Sequence, residues 1–201
     1  MQIVGREVIH RSGDRIRLFF VPSQPEGEID AATDALTVVV DGVLRQFSVG
    51  VLKMMQRFNS TLRSRERLRH DCGVFALACL TGNSHDEQMF HGENGLALVT
   101  KMFAQRFTIP ADRQVVESAL PTGGVIKTIL VDANGVDVPR EHHYLVRVSA
   151  DGVQPPLYAS KLGMDGPVVI HDFDTSLRMY PAQCMQVVIG MHAKSWAELA
   201  H

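Results

Sequence analysis

Residues 69–83, RHDCGVFALACLTGN, set a cysteine, Cys72, between an aspartate and a glycine at the head of a run of small apolar helix formers. A thiol attacks well only as a thiolate, and the unpaired N–H groups and dipole of a helix N-terminus favour that charge. The run predicts a helix from Cys72 to Leu80, ended by Thr81-Gly82-Asn83 with Gly82 as its C-terminal cap. A nucleophilic cysteine needs a base, and the base needs a group to orient it. Downstream, His142-His143 opens the strand candidate YLVRV, and Asp172 closes the strand candidate VVIHD. If these strands pair antiparallel, the start of one lies beside the end of the next, and a histidine meets an aspartate at one sheet edge. Side chains alternate across a strand, so His142 and His143 point to opposite faces and only one can face Cys72. His143, directly followed by the strand residues from Tyr144 to Val148, is the expected one.

Other residues of these types have plainer readings. Cysteine is among the most buried residue types, so Cys79 and Cys184 read as structural. His10, His85, His91, His192 and His201 read as surface or satisfied core residues. His70, Cys72, His85 and His91 match no zinc-ligand spacing, and no Cys-X-X-Cys pair is present. PTGG at 121–124 lacks the Lys-Ser/Thr of a phosphate loop and reads as a turn. Met54, Met55, Met89 and Met102 read as core. Arg57, Arg63, Arg65, Arg67 and Arg69 crowd the approach to Cys72, against Glu66 alone. They form either a solvated basic face or a positive field that holds a thiolate and draws an acidic partner.

The elements that must position these residues follow from the pattern. The chain has 201 residues, net charge −2 and a 45% hydrophobic fraction, which suits one soluble domain with a real core. The near-neutral charge argues against nucleic-acid or membrane surfaces, and no stretch is apolar enough to span a bilayer or serve as a secretory signal. Three cysteines fit a reducing compartment, so the expected location is the cytoplasm or delivery by a route without a signal peptide. Residues 1–50 read as β, with Asp41-Gly42 as the strongest hairpin signal. Val51, Met54, Met55, Phe58 and Leu62 predict a helix over about 49–62. NGLALVTKMFAQRF (94–107) and ADRQVVESAL (111–120) predict two more helices beyond Cys72–Leu80. From residue 124 the chain reads as β. A single α+β domain is expected, with a helical half that starts its central helix at Cys72 packed on an antiparallel sheet. Its core is expected at about 51–201, with residues 1–50 as a β-rich extension.

DCGVFALACL, then HHYLVRV, then GPVVIHDFD resembles the papain-like cysteine hydrolases, in the order Cys, His, Asp. It is similar to the bacterial branch that includes the leader peptidases of bacteriocin precursors. YASKLGMDGPVVIHDF also resembles papain-fold toxin and effector domains of bacterial secretion systems. The resemblance spans roughly residues 66–175. It implies a papain-like fold with Cys72 as nucleophile, His143 as base and Asp172 as orienting acid, Asp174 being a fallback. DCGVF also occurs in ubiquitin-like-modifier proteases and related acetyltransferase effectors, where the histidine and acid precede the cysteine. Here only His10 and His70 precede it, so the order favours the papain-like side. One position departs from the pattern: Glu66 stands where a glutamine usually helps hold the oxyanion. The remaining donors are the Cys72 backbone N–H and a side chain from Gln56 or Asn59. The implied activity is acyl-enzyme hydrolysis of a protein or peptide by a cysteine protease, with no metal or organic cofactor. A glutamine deamidase or acyltransferase effector with the same triad is the alternative, and an inactive binding module is a further one.

Overall fold

The computed structural model describes residues 2–3, 5–9, 13–21, 28–30, 34–61, 72–81, 105–163 and 166–188. In chain order the first strands are β1 (Gln2–Ile3), β2 (Gly5–Ile9), β3 (Arg15–Phe19), β4 (Glu28–Asp30), β5 (Ala35–Val40) and β6 (Val43–Ser48). Helices α1 (Val49–Thr61) and α2 (Cys72–Thr81) come next, followed by β7 (Gln105–Thr108) and helix α3 (Arg113–Ala119). The rest is β8 (Val125–Val131), β9 (Asp137–Arg147), β10 (Tyr158–Lys161), β11 (Val168–His171), helix α4 (Phe173–Met179) and β12 (Cys184–Val188). The fold is α+β, and among the described residues its sheets are mostly antiparallel and its helices number four.

The local signals that need no partner are realised. At Asp41-Gly42 both residues have positive φ, 49° and 79°, and Val40 pairs with Val43. Such a two-residue turn matches the right-handed twist of the strands it joins. Helix α1 buries Val51, Leu52, Met54, Met55 and Phe58 and leaves Lys53 and Arg57 exposed, the stripe its helical spacing predicts. Thr122-Gly123 is a turn: Asp151 Oδ1 accepts from the Thr122 N–H at 2.7 Å and from its hydroxyl at 2.8 Å.

The eight-stranded sheet runs β2-β3-β11-β10-β9-β8-β12-β7. Its two central clusters lie on opposite faces, because side chains alternate along each strand. On one face Tyr144, Val146, Ala159, Val168 and Ile170 pack with α1 and α2. On the other Ile126, Leu145, Tyr158, Met185 and Val187 pack with Val116 of α3 and Phe173 of α4. Residues 143–147 of β9 are buried throughout, as a strand covered on both sides must be.

Two expectations are corrected. Residues 1–50 are not an appended extension. The β2–β3 hairpin is the edge of the main sheet, with Phe19 paired to Ile170. Asp41 of the smaller sheet accepts from Arg17 Nε at 2.8 Å, and Ile3, Val38 and Phe47 belong to the same core as α2. The expected helix 94–107 also fails at its end, where Gln105–Phe107 fall in β7 and pair along β12. A remote strand partner there outweighs a weak local helical pattern. The rest of that expected helix lies outside the described residues.

One buried cation ties the helical corner together. Arg147 is 1% exposed. Its Nη1 donates to the carbonyls of Glu117 at 3.2 Å and Leu120 at 2.6 Å, and its Nη2 to those of Ala150 at 3.0 Å and Val153 at 3.4 Å. Its Nε donates to the Ser149 carbonyl at 3.3 Å. The next backbone donor for the Glu117 carbonyl would be residue 121, which is a proline. Arg147 therefore closes the C-terminus of α3, where a cation also meets the negative end of the helix dipole.

Candidate functional site

Cys72 is the first residue of α2, half-buried against the core that α2 shares with β9 and β10. A short chain of contacts locates that first turn. The Phe75 ring meets Phe58 of α1 edge-on, with centroids 5.4 Å apart. The next residue, Asn59, donates from Nδ2 to the Val168 carbonyl at 3.0 Å and accepts the Val168 N–H at its Oδ1 at 2.7 Å. Val168 is level with Lys161, and the β9–β10 register continues Lys161 onto Tyr144. The start of α2 thus lies toward the end of the sheet where β9 begins its buried run.

At that end β9 presents His142, not His143, to the face that α2 covers. Tyr144 and Val146 belong to the cluster shared with α2, and His142 shares their side by alternation. Its ring meets Tyr144 edge-on at 5.4 Å. His143 is on the opposite face, 3% exposed, with its ring stacked on Tyr180 at 3.8 Å and 20°. The sheet lies between His143 and Cys72. Burial, followed by the nearby His171 and His142, drives the His143 pKa down to about 3, and its Nε2 has no hydrogen-bond partner among the described residues. A ring held neutral so strongly is a poor acceptor for a thiol proton.

Asp172 is also displaced from the expected place, and the register gives the reason. Tyr158 of β10 lies opposite Arg147 of β9 and opposite His171 of β11. With β10 between them, β9 and β11 run parallel, so the start of one is not beside the end of the other. Asp172 is level with the residue after Arg147, five residues from His143. That is about 16 Å along the strands, and two strand spacings add about 10 Å across. The Asp172 carboxylate caps α4 instead, accepting the Thr175 N–H at 2.6 Å. Asp174, the fallback, pairs with Arg113 at 2.5 Å from an exposed position. Asn59 is no free oxyanion donor, because its amide serves both backbone groups of Val168. Gln56 is half-buried on α1 and takes part in other interactions. Glu66, His70 and the arginines from 63 to 69 lie outside the described residues, as do His10, His85, His91, His192 and His201.

Two features escaped the sequence. Lys161 is 1% exposed and shares the α2 face with Ala159. Its Nζ donates to the Gly163 carbonyl at 3.2 Å, within a wider set of contacts. On the far face, Ser160 and His171 form a buried pair. His171 Nδ1 lies 2.9 Å from the Asp172 carbonyl, which can only accept, so Nδ1 carries the proton. Nε2 then accepts from the Ser160 hydroxyl at 2.6 Å. This is a nucleophile–base arrangement in form, but both residues are fully buried and it serves as a satisfied core pair. Cys79 keeps its structural reading: it packs against the α2 core, and burial pushes its thiol pKa up.

Among the described residues no group of three or more His, Cys, Asp or Glu side chains comes together as metal ligands. No helix among them is long and apolar enough to cross a membrane. Comparison with protein-family models, characterised proteins and solved structures found no match for this chain.

Proposed function

We propose that this chain is a papain-like thiol hydrolase acting on a protein or peptide, with Cys72 as nucleophile and His142, in place of His143, as base. One observation carries the reading: Cys72 opens α2, and α2 packs on the sheet face that β9 lines with His142, Tyr144 and Val146. A thiol at a helix start gains from the helix dipole, and His142 is half-buried on the α2 face, whereas burial holds His143 neutral on the other. Lys161 is buried on the same sheet face. His142 would draw the proton from Cys72, the thiolate would attack a carbonyl, and water or another nucleophile would release the acyl group. Protease, glutamine deamidase and acyltransferase share this route, with cleavage the first expectation. A gain of about one dalton on a target would mark deamidation instead.

A second reading has its own support. Asp172 and Asp174, the two expected orienting acids, are committed to a helix cap and to an ion pair with Arg113. That favours a binding module that keeps the fold without chemistry. The rate of Cys72 alkylation by iodoacetamide against pH separates the two. The hydrolase requires fast labelling that persists below pH ~7, lost in His142→Ala and retained in His143→Ala. A single rise near pH ~8.5, unchanged by His142→Ala, removes the hydrolase and leaves the binding module.

A further inference from the structure

A histidine base is ordinarily oriented by an acid, and the two acids expected in that role serve a helix cap and an ion pair instead. An aromatic ring stands beside His142. The Tyr144 ring lies 5.4 Å from the imidazole, centroid to centroid, with the two planes at 80°. Aromatic pairs prefer this edge-to-face arrangement to a face-to-face sandwich. The two rings share one sheet face because they are two residues apart on β9. Tyr144 is itself held in place. It is 1% exposed within the cluster that α2 covers, and Nζ of Lys127, its partner on β8, lies 5.8 Å from its ring centroid. His142 is only half-buried, and its pairing with Ile129 is the last before the β8–β9 register shifts. The ladder fixes the His142 backbone there, and the two side-chain torsions are left to be set by what the imidazole touches.

We propose that Tyr144 is a positioning residue for His142, its buried ring holding the imidazole in the orientation that takes the Cys72 proton. This rests on the thiol reading above and adds to it a means of orienting the base without a carboxylate. The acting part is the ring and not the hydroxyl, because the contact is ring on ring. Phenylalanine therefore preserves it, while leucine keeps the apolar burial and removes the ring. Tyr144 acts through His142 and moves no proton itself.

The test is the rate of iodoacetamide alkylation in the full chain, followed at the Cys72 peptide by mass spectrometry, in the native protein, Tyr144→Leu, Tyr144→Phe and His142→Ala. At pH 6 labelling depends on a base, and at pH 9 the thiol ionises without one. Tyr144→Leu should slow labelling about fivefold at pH 6, toward the His142→Ala rate, and leave it unchanged at pH 9. Tyr144→Phe should stay within about twofold of the native rate at both. A merely structural role has the opposite signature, since a loosened fold exposes Cys72 and speeds labelling at both pH values. That result overturns the proposal, as does equal slowing in Tyr144→Phe. A native rate at pH 6 in Tyr144→Leu, with His142→Ala slow, overturns the positioning role alone. A native rate in His142→Ala removes the thiol reading and the positioning role with it. Proton NOEs between the His142 and Tyr144 rings in the native chain need no variant: they are expected, and their absence overturns the proposal.

Discussion

Stability should fall as the solution is acidified from pH 8 to 5, and His143 should account for much of the fall. In the unfolded chain its imidazole titrates near the ordinary 6.5, and in the folded chain burial lowers it to about 3. Above pH 6.5 both states are neutral and the residue contributes no pH dependence. Between 6.5 and about 3 only the unfolded state takes up the proton, so acid favours unfolding there. At pH 5 the term is RT ln(1 + 10^1.5), about 2 kcal/mol, and it grows by about 1.4 kcal/mol for each further pH unit until the folded form also titrates. His171, fully buried and also lowered, acts in the same direction. Asp41, Asp137 and Asp151, each held below an ordinary 3.8, lose their partners' stabilisation only below that window. Urea unfolding followed by circular dichroism at pH 8, 7, 6 and 5 measures the profile. The control is His143→Gln, compared by slope rather than absolute stability. The variant should lose about 2 kcal/mol of the change between pH 8 and 5. A variant profile parallel to that of the native protein would refute the reasoning and mean that His143 is solvated enough to titrate normally.

Arg147→Met keeps the apolar stem but removes the donors to the Glu117, Leu120 and Val153 carbonyls. A loss of about 3 kcal/mol is expected from denaturant unfolding, at about 1 kcal/mol per orphaned carbonyl. A loss under about 1 kcal/mol would show that water replaces the guanidinium there. Asn59→Leu removes both bonds to Val168 and should cost about 2 kcal/mol. The Val168 amide should exchange with deuterium faster in that variant, and an unchanged rate would contradict the clamp. Asp172→Ala should cost about 1 kcal/mol as a lost helix cap and leave the Cys72 alkylation rate unchanged. A tenfold slower rate would return Asp172 to the site.

Much of the architecture was legible because it is local. The Asp41-Gly42 hairpin needs positive φ at two residues, and both residues tolerate it. Helix α1 is written in its apolar spacing. The start of α2 at Cys72 is marked by the shift from a charged segment to small helix formers. The missed helix, α4, is only Phe173–Met179, and its signal was the cap: Asp172 reads as a strand end until Thr175 three residues on is seen to donate to it. The helix and the two strands expected to carry the triad are all present, yet His143 and Asp172 do not join Cys72.

The sequence by itself determined that a cysteine heads an apolar helix, that antiparallel strands follow, and that His142 and His143 must face opposite ways. Those statements rest on backbone geometry within a few residues, which any packing must respect. Only the tertiary structure decided which face α2 covers, and so which histidine shares it. It also decided that β10 lies between β9 and β11, which makes those two parallel and carries Asp172 to the far end of the sheet. Strand order and register come from the sum of many remote contacts, so no single stretch of sequence states them. The same sum leaves Arg147, Lys161 and His143 buried, and burial turns ordinary surface residue types into a helix cap, a lysine on the face that α2 covers and a neutral imidazole.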